Sequence, residues 1–308
     1  MATLKTELKP VPPFDFHLTA DYRTRFRQDL ASEVHRDGIY RRVCTVRDNL
    51  ALMSVSSTGT IERPRLEMET TGQGLVQDDL SSLRNEAVAV LGLDYDLSGF
   101  YTMSKDDHLL SRLIDSFYGL KPTTEPDVFE TLVSAIIGQQ ISAKVAVTME
   151  RGLIQSYGEP FFWDGSTYYR FPRPEKLAAV GIDELRRHKL SQRKAEYIHG
   201  LAKAVSEGSV DLEALKEMSN ESVIRELVQL RGIGEWTAQW VLCNSLGRFE
   251  VFPSGDLALL RMLSRVYLDG QAVTPQEAEA FAERWGPYRV PVIVYSYAAI
   301  RQGIDLSA

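Results

Sequence analysis

Two glycines one residue apart, Gly232 and Gly234, interrupt a long stretch of helical periodicity, and no other feature restricts the fold as strongly. Upstream of them Val223, Ile224, Leu227 and Val228 make one apolar face, which Ser219 or Asn220 can cap. That helix ends in Leu230-Arg-Gly-Ile-Gly-Glu-Trp236, and a second helix runs from there to a stop at Gly247. Glycines so placed between amphipathic helices make a tight hairpin that a Cβ would obstruct. The first N–H groups of the second helix have no partners within it, so they can hold a phosphate. Taken alone, Gly-x-Gly before a helix reads first as a plain helix–helix turn.

The texture on either side differs. In the first ninety-odd residues, Phe14-Asp-Phe-His-Leu18 alternates apolar and polar as a half-buried strand does. Val43–Val46, Leu50–Val55 and Arg65–Glu69 are further β-prone runs, with turn chemistry at Ser56-Ser-Thr-Gly59. A helical pattern follows through Leu80, Leu83, Ala87, Val88 and Leu91. Residues 1–95 therefore read as a small α+β domain. From about Phe100 the period is helical: Phe129, Leu132, Val133, Ile136 and Ile137 form one stripe, and Leu177, Leu185, Ala195, Ile198, Leu201 and Ala202 continue it. Residues 96–308 are expected to be an all-α region.

A net charge of −7 argues against a sequence-blind polyanion binder, though a local patch suffices for a DNA footprint. Arg186-Arg-His-Lys189, continued by Arg193-Lys194, is one candidate, and a solvated helix face is its simpler reading. Only Cys44 and Cys243 are present, so a four-thiolate zinc or iron–sulfur site is excluded, and both read as buried apolar residues of a reducing compartment. No cofactor or metal is expected. No secretory leader and no apolar run of membrane-spanning length is visible, which makes a cytoplasmic protein the expectation.

Downstream of the hairpin, Phe249-Glu-Val-Phe-Pro-Ser-Gly255 is extended and Asp256 opens another helix. An Asp at a helix start is ordinarily an N-cap, and that role is compatible with chemistry. Helix-terminal N–H groups favour the carboxylate form, so Asp256 is expected to be ionised, a poor general acid but a good partner for a developing cation. Trp236 and Trp240, four apart, share one helix face, as a buried core pair or as a stacking surface.

Hairpin, Gly/Pro-rich loop and a single downstream Asp together resemble the helix-hairpin-helix DNA glycosylases, and within them the bacterial 3-methyladenine DNA glycosylase II (AlkA) type. Ala135-Ile-Ile-Gly-Gln-Gln-Ile-Ser142, Lys189-Leu-Ser-Gln-Arg-Lys-Ala-Glu-Tyr-Ile198, Leu230–Ala238 and Ala282-Glu-Arg-Trp-Gly-Pro-Tyr-Arg289 all match its pattern. The match covers roughly residues 95–308, and the resemblance implies two helical lobes with the active site in their cleft. It also implies an N-terminal domain like half of a TATA-binding-protein fold. By motif position, Asp256 corresponds to the catalytic carboxylate, and Trp236, Trp240 and Tyr297 to the walls of the base pocket. Many relatives have tryptophan at the position of Tyr297. Gln140 corresponds to the wedge that fills the gap left by a flipped base, while Gly232, Gly234 and Thr237 belong to the DNA-gripping hairpin.

The activity so implied is removal of alkylated bases from double-stranded DNA, in base excision repair, by a monomer. Purines alkylated at N3 or N7 are already cationic and leave without prior protonation. Electron-rich rings suit such a base, and flipping it costs a few kcal/mol. Three rival readings stand beside it. An adenine-mispair glycosylase of the same family usually carries a Cys-rich iron–sulfur loop, and this sequence has only Cys44 and Cys243. A bifunctional glycosylase/lyase carries a lysine early in the helix after the hairpin, where this chain has Trp236. A hairpin module that only binds DNA has no need of Asp256 beside an aromatic pair.

Overall fold

A computed structural model describes residues 1–24 and 32–306. Strands β1 (Ala2–Leu8), β2 (Glu33–Arg36), β3 (Ile39–Val46), β4 (Asn49–Ser57) and β5 (Leu66–Gly72) form an antiparallel five-stranded sheet in the order β1-β5-β4-β3-β2. The register sets Tyr40 opposite Val55, Cys44 opposite Ala51 and Val55 opposite Met68. Those side chains share one face, where helices α1 (Phe16–Thr24) and α2 (Leu80–Leu91) bury them with Phe16, Ala20, Leu83 and Ala87. The strand expected at Phe14–Leu18 is absent. Phe14 and Phe16 are both buried, as alternation required, but the Asp15 carboxylate accepts the Leu18 N–H at 2.9 Å and starts a helix instead.

Beyond α2 the chain is mainly helical: α3 (Ser98–Met103), α4 (His108–Ser116), α5 (Val128–Gly138) and α6 (Ala143–Tyr157) come first. The expectation of an all-α region is corrected here. Strands β6 (Glu159–Trp163) and β7 (Ser166–Arg170) pair as a hairpin whose turn residues Asp164 and Gly165 have φ of +46° and +69°. Phe161 of this hairpin packs on Val43 and Leu52, on the sheet face opposite α1 and α2. Short helices α7 (Pro174–Ala178) and α8 (Ile182–Arg186) then lead into α9 (Gln192–Ser206). The remainder is α10 (Asn220–Leu227), α11 (Glu235–Asn244), α12 (Leu257–Tyr267), α13 (Pro275–Ala282) and α14 (Arg289–Gln302).

The helices build two cores. One is formed by residues between Val128 and Leu242, the other by Leu97–Leu120 together with residues from Cys243 to Ala299. The chain thus starts one lobe, completes the other, and returns to finish the first. A buried ion network fastens the sheet to this assembly. Arg42 on β3 grips Glu125 through both terminal nitrogens, at 2.9 and 2.5 Å, and Arg23 of α1 bridges Glu33 and Glu125 at 2.6 and 2.8 Å. Glu125 lies just before α5, so these contacts set the first helix of one lobe against the sheet. No described helix is long and apolar enough to cross a membrane.

Candidate active site

The sequence between α10 and α11 folds as a hairpin for reasons that separate its two glycines. Ser219 caps α10 by accepting the Ser222 N–H. Gly232 has φ +93°, and a Cβ there would lie 2.3 Å from the Tyr197 ring of α9. Gly234 differs from the expectation: its φ is −99°, it is exposed, and an added Cβ would meet nothing. The tight turn therefore demands glycine only at Gly232. What Gly234 leaves open is the approach to the N-terminus of α11. There the first intrahelical bond is Ala238 N–H to Gly234 O, so the N–H groups of Glu235, Trp236 and Thr237 precede the helical ladder. Thr237 as a whole is buried, whereas Glu235 at the start of the helix is exposed.

In the first two turns of α11 the rings of Trp236 and Trp240 stack, with centroids 5.7 Å apart and planes at 25°. Both are half-buried, and neither belongs to the two lobe cores. The loop from the other lobe passes directly over Trp236: a Cβ on Gly255 would come within 3.5 Å of its side chain. The next residue is Asp256, the N-cap of α12, whose Oδ1 accepts the Ala258 and Leu259 N–H groups at 2.9 and 3.1 Å. Asp256 thus directly follows the residue packed over Trp236, at the junction of the lobes, and is fixed by backbone bonds to one oxygen.

Tyr297 on α14 joins this cluster through its hydroxyl. Burial, then the Asp256 carboxylate, which pairs with the phenol, raise the Tyr297 pKa well above the usual range. It remains a proton donor at neutral pH. Arg301, one turn on, lies 5.9 Å from the Tyr297 ring and 4.4 Å from that of Tyr22. The structure accordingly pairs Tyr297 of α14 with Asp256 and sets the residue before Asp256 against Trp236, which stacks on Trp240 of α11.

Gln140 sits just past the C-terminus of α5, exposed and at φ +56°, a conformation uncommon for a side-chain-bearing residue. Its neighbour Gln139 donates from Nε2 to Gly232 O at 2.9 Å, tying this loop to the hairpin. Neither Gln139 nor Tyr197 was singled out from sequence, since both do their work by contact with one backbone glycine. The basic run at 186–194 resolves into separate roles. Arg186 pairs with Asp183, His188 meets the Tyr157 hydroxyl, and Lys194 is turned inward onto α5. A cavity of about 380 Å³ bounded by Asp127, Phe129, Val205 and Leu212 lies at the opposite end of α5 from Gln140 and takes no part in the site.

Residues 133–287, just over half of the chain, match the profile of the HhH-GPD superfamily base excision DNA repair proteins. A DNA-3-methyladenine glycosylase of Bacillus subtilis is 27% identical over 291 residues, covering 93% of this chain and 94% of that protein. DNA-3-methyladenine glycosylase 2 of Escherichia coli is 30% identical over 180 residues, 58% of this chain and 60% of that protein. Among solved structures, a 3-methyladenine DNA-glycosylase from Archaeoglobus fulgidus superposes with a TM-score of 0.86 at 28% identity, over 97% of this chain and all of that one.

Proposed function

The chain belongs to the HhH-GPD superfamily of base excision DNA repair proteins, and from that premise we propose that it is a monofunctional DNA glycosylase for alkylated bases. The substrates are of the 3-methyladenine and 7-methylguanine type, in double-stranded DNA, with the protein acting as a monomer. The observation that carries this reading is the Asp256 carboxylate, fixed directly after the residue packed over a stacked tryptophan pair, where the two lobes meet. The relatives' names agree with it.

The chemistry follows from the charges. A purine alkylated at N3 or N7 is cationic, so its flipped ring is attracted to the electron-rich indoles of Trp236 and Trp240. The C1′–N bond breaks with its electron pair going to the base, which leaves neutral. Positive charge develops on the sugar, and Asp256 lies ready to offset it without itself moving. Water then bonds to C1′ and loses a proton, leaving an abasic site. The hairpin grips the backbone through the α11 N–H groups, and Gln140 enters the emptied stack. The five-stranded sheet carrying α1 and α2 on one face is read as half of a TATA-binding-protein-like fold.

Where a lyase has its lysine this chain has Trp236, and the stretch from Leu230 to Asn244 contains no lysine. The test is a duplex with one 7-methylguanine. Wild-type protein should release the base and leave a full-length strand until alkali is added, with no adduct trapped by borohydride. Asp256→Asn should retain affinity for an abasic-site duplex but lose excision by at least about 10²–10³-fold. Near-wild-type excision by that variant, or efficient borohydride trapping by the wild type, would sink the assignment.

A further inference from the structure

The end of α5 is held in a way that neither helix propensity nor the base pocket requires. Helix C-termini leave carbonyls without partners. Here the Lys194 Nζ, from the first turn of α9, reaches both Ile137 O and Gln139 O at 2.7 Å. Ser191 fixes the start of α9 by accepting the Lys194 N–H, so the lysine is anchored at its own backbone. The Gln139 side chain reaches the other way, to Gly232 O of the hairpin at 2.9 Å. Residue 139 is thereby tied through its carbonyl to α9 and through its amide to the hairpin. The next residue, Gln140, is left to turn outward at φ +56° with its side chain exposed.

We propose that Lys194 and Gln139 are positioning residues for base extrusion, clamping the end of α5 so that Gln140 projects, already ordered, at a fixed offset from the phosphate-gripping hairpin. The proposal rests on the reading of Gln140 as the residue that fills the vacated stack. Two physical consequences support it. A side chain held in its inserting conformation before DNA arrives does not lose backbone freedom on insertion. The ammonium also offsets the partial negative charge at the α5 C-terminus, which would otherwise face a polyanion. Burial lowers the Lys194 pKa, in keeping with an ammonium turned inward rather than into solvent. The hairpin grip and the wedge thus become one rigid unit, linked by the Gln139–Gly232 bond.

A double-mutant cycle in the full chain tests this, because a residue acting through Gln140 has nothing to act on when Gln140 is truncated. Lys194→Met and Gln139→Leu are each made alone and with Gln140→Ala. Single-turnover base release is followed on a 7-methylguanine duplex and on the corresponding single strand. Insertion is read by 2-aminopurine emission next to an abasic site in a duplex. Each single variant should slow duplex release roughly ten-fold and reduce the emission change, with little effect on the single strand, which has no stack to fill. In the Gln140→Ala background the further loss should be under about two-fold, and Lys194→Arg should restore most of the wild-type rate. Equal losses with and without Gln140, or equal losses on both substrates, would reduce the clamp to ordinary stabilisation and overturn the proposal. So would unchanged emission. If wild-type protein releases no base at all, the functional reading fails, while the abasic-site emission still decides the clamp. Should Lys194→Met not fold, Gln139→Leu and Lys194→Arg carry the same comparison.

Discussion

Asp256 and Tyr297 meet as a carboxylate and a hydroxyl. The backbone bonds fall on Asp256 Oδ1, which fixes the position of the carboxylate, and the Tyr297 phenol pairs with the same group. By motif position Tyr297 reads as a pocket wall where many relatives have tryptophan, a departure that bears on the width of the pocket. Its hydroxyl is placed to hold the carboxylate as well as to present a ring face. A hydrogen bond to a charged group is worth about 1.5–3 kcal/mol, and some of that is offset because donation draws charge from the carboxylate. Tyr297→Phe should therefore slow base release by roughly ten-fold, equivalent to about 1.4 kcal/mol, with affinity for abasic DNA unchanged. Were Tyr297→Phe to match the wild type in single-turnover excision, the ring alone would matter and the hydroxyl would be incidental.

Elements with a strong helical period were legible because one buried stripe determines them. The apolar positions noted in residues 80–91 and 129–137 fall within α2 and α5, and of the two caps open to α10, Ser219 or Asn220, the structure uses Ser219. Misreadings came where two periods competed. Phe14 and Phe16 satisfy alternation, yet Asp15 caps a helix, a local hydrogen bond that outweighs a short pattern. The hairpin β6–β7 had its signal in Asp164-Gly165 between aromatic runs, the mark of a two-residue turn, but it lay inside a region read as helical throughout. Motif spacing names the candidate site residues, whereas Gln139 and Tyr197 carry no such signal and Lys194 reads only as part of a basic run, because their partners are backbone atoms distant in sequence. The hairpin glycines give this scale its own prediction. Gly232→Ala meets both a left-handed backbone and the Tyr197 ring, and should destabilise the fold by roughly 2 kcal/mol or more in urea unfolding. Gly234→Ala meets no atom, so stability should change by less than about 0.5 kcal/mol. Its methyl group would nonetheless stand at the phosphate approach, and binding to an abasic duplex should weaken. Full affinity in Gly234→Ala would remove the α11 N-terminus from the DNA grip.

At the scale of the whole molecule, the seam between the sheet-bearing part and the helical lobes is polar and buried. Arg23, Arg42, Glu33 and Glu125 meet there, and so does Lys121. Lys121 is wholly buried, its N–H donates to Thr19 of α1, and its ammonium donates to Tyr95 O. Burial pushes its pKa down to about 8, against a smaller upward pull from Asp96 and Asp94. In the unfolded chain a lysine titrates near 10.4, at about 1.36 kcal/mol per unit of difference. Below pH 8 both states carry the proton and the full penalty of burying the charge is present. Between about 8 and 10.4 the unfolded state binds more protons than the folded one, so stability gains from this group as pH rises through that window. The gain is bounded at about 3 kcal/mol. Replacing the residue by methionine removes the titration but leaves Tyr95 O without its donor, a cost of about 1–3 kcal/mol. At pH 7 these terms nearly cancel, so a single measurement there decides nothing. The pH dependence does: the stability of wild type minus that of Lys121→Met, from urea unfolding at intervals between pH 7 and 10.5, should climb by up to about 3 kcal/mol. A flat difference would mean that Lys121 keeps an ordinary pKa in the folded protein, and that the seam admits enough water to solvate its charge.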